Sequence, residues 1–128
     1  MLTELPSDIQ EFLRPLIEQD LDIWLIGSRA NQTYTAASDW DFIIKGNESV
    51  LVELSKRRAP SNIDALVVYD GDSFRCPWPR PSDGWVKSGS LSQWGWSDVS
   101  PTEAKYIRSK SDDDWYTVHW GKAVKVSP

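Results

Sequence analysis

A chain of 128 residues, 40% of them hydrophobic and 26% charged, has the length and composition of one globular domain spanning 1–128. Nineteen acidic against 14 basic side chains leave a net charge of −5, which argues against a protein that wraps a polynucleotide by neutralising its phosphates. No apolar run approaches the roughly 18 residues of a membrane span, the opening MLTELPSDIQ is acidic where a secretion signal is basic, and lone Cys76 and His119 furnish neither a disulfide nor a zinc cage; a cytoplasmic protein is expected.

Ser7 to Gln19 carries Ile9, Phe12, Leu13, Leu16 and Ile17 at helical spacing, with Ser7 and Gln10 placed as a capping box and Pro15 as a kink or a later start. Ile23 to Ile26 is a short apolar run stopped by Gly27-Ser28, which predicts a buried strand, a tight turn and a helix start. Asn31 to Ser38 is polar and without period, a loop after one turn of helix, and Asp39 to Ile44 resumes as strand. Asn47 caps a helix through Arg58, with Val50, Leu51 and Leu54 facing inward and Pro60 beyond it. Ile63 to Tyr69 is a third strand, apolar except for Asp64, and Asp70-Gly71-Asp72 turns the chain. Helices between short strands predict an α/β (α+β) domain.

Beyond this point the composition changes. The first 64 residues hold 11 acids and 6 bases, the remainder 8 of each, whereas of eight tryptophans only Trp24 and Trp40 precede Pro77. Pro77, Pro79 and Pro81 make Phe74 to Gly84 a loop. Trp85 to Ser88, Leu91 to Trp96, Ala104 to Ser109, Trp115 to Trp120 and Ala123 to Val126 then read as short strands, a β-rich extension over 85–126. Ser100-Pro101-Thr102-Glu103 offers the alternative of a short helix through Ile107.

The chemistry concentrates around Asp39-Trp40-Asp41. On a strand, the period of two sends both carboxylates to one face with Cα atoms about 6–7 Å apart. Unpaired like charges are poor core, and the arrangement becomes favourable when hard cations such as Mg²⁺ lie between them. Asp64 is a third acid in an otherwise apolar strand. If that strand neighbours the first, three carboxylates converge, enough for two divalent ions that orient and activate a phosphoryl transfer. Gly27, Ser28 and Arg29 supply a phosphate cradle, through a close backbone approach, a hydroxyl and a cation.

Ile26-Gly27-Ser28, a gap of ten residues, then Asp39-Trp40-Asp41-Phe42, with Asp64 on a later apolar strand, resembles the nucleotidyltransferase superfamily of DNA polymerase β. The text GSRA…SDWDF is similar to its minimal and antibiotic-modifying members, and the likeness covers 22–69. The resemblance implies the nucleotidyltransferase fold, a small mixed sheet with flanking helices, and a metal-dependent transfer of a nucleoside monophosphate from a nucleoside triphosphate to a hydroxyl of a small molecule or protein. It implies Asp39, Asp41 and Asp64 as catalytic ligands of two Mg²⁺ ions (Mn²⁺ as substitute), with Gly27, Ser28 and Arg29 on the nucleotide. Many members carry a second glycine shortly after the serine, where this chain has Asn31-Gln32. That departure and the small size support an alternative, a catalytically silent relative that binds nucleotide or a protein partner in a regulatory or antitoxin-like way. A partner or a homodimer could complete the cleft.

Other features have plainer readings. Cys76 with His119 is a weak candidate for a thiol nucleophile, and Asp112-Asp113-Asp114, like Asp70 and Asp72, is a solvated turn without the pattern of a calcium loop. Lys56-Arg57-Arg58 suits a helix C-terminus. Trp85, Trp94, Trp96, Trp115 and Trp120 either pack a core or stack bases or sugars.

Overall fold

A computed structural model describes residues 2–110 and 118–127. After a single 3-10 turn, helix α1 (Ser7–Glu18) leads into β1 (Asp22–Ile26), α2 (Gly27–Asn31), β2 (Trp40–Lys45), α3 (Glu48–Ser55) and β3 (Ile63–Val68). Five strands follow, β4 (Ser73–Arg75), β5 (Ser88–Ser90), β6 (Ser97–Ser100), β7 (Glu103–Lys110) and β8 (Val118–Ser127). All eight strands form one mixed sheet, in the order β5-β4-β3-β2-β1-β8-β7-β6. Only β2 and β3, joined through α3, run parallel; the other pairs are antiparallel. Among the described residues no helix is long and apolar enough to cross a membrane.

Period-2 alternation sorts the side chains onto two faces. Ile23, Leu25, Phe42, Ile44, Ala65 and Val67 face α1 and α3, whose Ile9, Leu13, Leu16, Val50 and Leu54 are buried against them. The alternate residues Trp24, Ile26, Ile43, Leu66 and Val68 face a second core with Phe74, Leu91, Ala104, Tyr106 and Ala123. Register accounts for this sorting, since cross-strand partners share a face: Leu25 lies opposite Phe42, and Trp24 opposite Ile43.

Among the described residues no helix packs on the second core, and the sheet covers it by curling. Strands β5 and β6 stand at opposite edges yet are joined by only the six residues 91–96. A flat eight-stranded sheet is about 34 Å across, whereas so short a link reaches about 25 Å at full extension. The link is in fact a turn, tied to both sides: Leu91 N–H donates to Asp72 O (2.9 Å), and Ile107 N–H donates to Trp94 O (2.7 Å). It lays Trp94 and Trp96 over the second core.

Several sequence expectations change here. The capping box at Ser7 is absent: Pro6 is the N-cap, no side chain caps the helix, and Gln10 Nε2 instead donates to Leu5 O at 2.6 Å. Helix α1 continues through Pro15, held to the sheet by Leu13 and Leu16 on either side. Asn47 does cap α3, accepting from Val50 N–H at 3.1 Å, but the helix ends at Ser55, short of Arg58. Phe74, placed in a loop, belongs to β4. Leu91 to Trp96 is a turn, not a strand, because Gly95 takes a φ of +62° and turns the backbone between the two tryptophans. No helix runs through Ile107; Pro101 and Thr102 turn β6 into β7. Ala123 to Val126 lies within the single long strand β8. Asp112-Asp113-Asp114 and Trp115 lie outside the described residues.

Candidate active site

Strands β2 and β3 run side by side in a register that sets Asp41 beside Asp64. Neighbouring strands are about 4.8 Å apart, so these two acids stand closer than the two of Asp39-Trp40-Asp41. Both fall on the aromatic face, with Ile26 of β1 on the other side of Asp41. Asp39 is exposed one residue before β2, near enough for its charge to be felt at Asp41. Of the three carboxylates of the sequence pattern, Asp41 and Asp64 are therefore brought side by side, while Asp39 stays outside the pair on the exposed approach to β2.

The field at Asp41 follows from this placement. Burial, then the charges of Asp64 and Asp39, push its carboxyl up from 3.8 to about 6, against a smaller opposing pull from Lys87. Asp41, Asp64 and Lys87, but not Asp39, line a cleft of about 270 Å³, to which Gly27 and Tyr106 also contribute.

Gly27 is shaped for this position twice over. Its φ is +71°, open to glycine at little cost, and a Cβ there would run into the Asp41 carboxylate. The Gly27 N–H donates to the Tyr106 hydroxyl at 2.8 Å. Ser28 and Arg29 do not line the cleft. Arg29 lies 4.5 Å from the ring centres of both Tyr34 and Trp40 and donates to Ser38 O at 3.0 Å, fastening the loop between α2 and β2. Asn31 fastens the other side: its side chain donates to Gly27 O (2.7 Å) and accepts from Lys122 N–H of β8 (2.8 Å). Gln32 caps α2 with a φ of +59°, a left-handed conformation natural to glycine.

Among the described residues no group of three or more His, Cys, Asp or Glu side chains forms a ready metal cage. The inner pair still suits a hard cation. Mg²⁺ commonly takes one or two protein carboxylates and completes its shell with water and substrate phosphates; burial, then the charges of Asp64 and Asp39, disfavour an ionised Asp41, and such an ion would offset both.

Lys87 and Tyr106 carry no motif. Lys87 precedes the short polar β5, and Tyr106 is an ordinary strand residue until the sheet curls; the signal for the curl was Gly95 between two tryptophans. Cys76 is buried, with Sγ 3.2 Å from Trp78 O and 3.9 Å from Asp64 Oδ1. Burial foremost, with the Asp64 charge, pushes its thiol above the ordinary range, so it is a poor nucleophile at neutral pH. Trp94 and Trp96 pack the core, whereas Trp85 and Trp120 are each about half exposed. Comparison of the chain with protein-family models, with curated proteins and with solved structures finds no match.

Proposed function

We propose that the protein is a metal-dependent nucleotidyltransferase, moving a nucleoside monophosphate from a nucleoside triphosphate to an acceptor hydroxyl. The observation that carries this reading is the convergence of Asp41 and Asp64 on adjacent strands beside the Gly27 turn. Asp41 and Asp64 would hold Mg²⁺ (or Mn²⁺), with exposed Asp39 the ligand left for a second ion; bound there, the metal neutralises phosphate charge and favours an in-line displacement. Asp64, on the wall shared with Lys87, orients the acceptor hydroxyl, and Lys87 offsets charge on the departing pyrophosphate. The cleft is below the usual 300–1,000 Å³ of small-molecule pockets, so it takes the phosphates and leaves base and acceptor to the rim or to a partner.

A second reading, a silent relative that binds nucleotide or protein, draws on two contacts. The Gly27 N–H is already engaged by Tyr106, and Arg29 is stacked away from the cleft.

Calorimetric titration with ATP, GTP, CTP and UTP, each with and without Mg²⁺, tests the proposal. Metal-dependent binding is expected, and Asp39→Asn/Asp41→Asn abolishes it. A folded protein that binds none of the four overturns the transferase reading; binding without transfer to any hydroxyl favours the silent one.

A further inference from the structure

The Tyr106 side chain has a hydrogen-bonding capacity that the folded protein leaves half used. The residue is only 4% exposed, yet it lines the acid cleft, and its hydroxyl meets the backbone of Gly27, another residue of that lining. The oxygen accepts from Gly27 N–H at 2.8 Å, and no described residue accepts the hydroxyl proton in return. A tyrosine hydroxyl is both acceptor and donor, so one that already accepts from the backbone keeps a proton to donate to a ligand in the cleft. Two rings hold its own in place: Trp94 stacks on it with centroids 5.5 Å apart and planes 27° apart, Trp96 at 6.1 Å and 13°. Such a ring does not swing out to free Gly27.

We propose that Tyr106 is a ligand-binding residue of the cleft, a relay that accepts the Gly27 N–H and donates its own proton to an anionic oxygen, a phosphate oxygen of the bound nucleotide. This rests on the transferase reading for the identity of the anion. The polarisation runs one way: a hydroxyl that accepts a hydrogen bond becomes a stronger donor. The backbone amide at the turn thus acts on the phosphate through the phenol. Lys87 lines the same cleft and brings a cation to it. The aromatic half of the chain would then contribute directly to the site whose acids come from the other half.

The test is Tyr106→Phe, which keeps the ring and its two stacking partners and removes only the hydroxyl. Mg²⁺-tripolyphosphate and Mg²⁺-ATP are titrated into ¹⁵N-labelled wild type and variant, with near-ultraviolet circular dichroism to confirm the fold. The variant is expected to bind both ligands about 10- to 100-fold more weakly, the size of a hydrogen bond to a charged group. In the wild type the Gly27 amide signal should remain distinct from that of the bound variant, because Tyr106 still accepts from it. Equal affinities overturn the relay and leave the transferase reading standing. So does convergence of the two bound Gly27 signals, which would mean that the anion displaces the hydroxyl. Wild type that binds neither ligand overturns the reading and the relay together. If the phenylalanine variant fails to fold, Trp94→Phe, which keeps the hydroxyl and loosens its stack, should weaken both ligands to a smaller extent; unchanged binding there also counts against the relay.

Discussion

Where α1 and α3 cover the sheet, the buried side chains are mostly aliphatic and no charge is buried among them; on the opposite face the cover is Phe74, Trp94, Trp96 and Tyr106, and the acids stand at its open end. The difference teaches where each face spends its free energy. The helical face makes a dense core by burying apolar surface, at about 25 cal/mol per Å². The aromatic face gives up part of that gain to hold Asp41 and Asp64 side by side, with no ion pair to either among the described residues. Such a sacrifice is characteristic of binding and catalytic sites.

The sharpest way to break this division is Leu13→Ala. Leu13 is fully buried on the helical face, and its truncation should cost about 2–5 kcal/mol, read by urea unfolding, while the variant that remains folded keeps the ligand affinity of the wild type. A drop in affinity would show that the two faces are not separable.

A smaller effect of opposite sign belongs to Asp41→Asn. The folded protein raises the Asp41 carboxyl to about 6 from an ordinary 3.8, so it holds this proton more firmly than the unfolded chain. Stability from this group is therefore complete below about pH 4. It is lost as pH rises through about 6. Above that, asparagine should be the more stable residue by about 1 kcal/mol, after allowance for solvent screening of a partly exposed group. Thermal melts of both proteins from pH 4 to 7.5 check it: the curves should separate as pH rises, by about 3–4 °C at the upper end. Melts that stay parallel would mean that neither burial nor the neighbouring acids raise the Asp41 carboxyl in the folded protein.

The smallest effect sharpens the comparison at the turn that leads to the acids. Gln32 holds a φ of +59°, and Gln32→Gly should relieve the side-chain penalty there, worth about 1 kcal/mol, less the entropy that glycine adds to the unfolded chain. A net gain of about 0.5 kcal/mol is expected in urea unfolding. A net loss would mean that the glutamine side chain holds the loop.

Much of the helical face was legible in the sequence because its signals are local. Ile9, Leu13 and Leu16 repeat at helical spacing, Asn47 announces a cap, and the apolar runs at Ile23 and Ile63 are strands wherever they dock. Gly27, Asp41 and Asp64 were legible for the same reason: each breaks a local pattern. The aromatic face was not. Pairing of β1 with β8 joins Trp24 to Lys125 and leaves no mark in either segment alone. Trp94 and Trp96 imitate the alternation of a strand, yet both lie on Tyr106 because a turn at Gly95 brings them there. Lys87 and Tyr106 became site residues only through closure, whose one local sign is Gly95 between Trp94 and Trp96.

The position of β8 sets the order in which the molecule can assemble. Central strand β1 lies between β2, its near neighbour in the chain, and β8, the last strand described. Contacts of such long sequence separation slow folding. During synthesis the β1–β3 segment would leave the ribosome with one side of β1 unpaired, an open edge of the kind that invites aggregation. It would wait in that state until β7 and β8 emerge as a hairpin and insert. Nascent chains halted before β8 should therefore be protease-sensitive across the acid-bearing strands, although every one of those acids has already been translated.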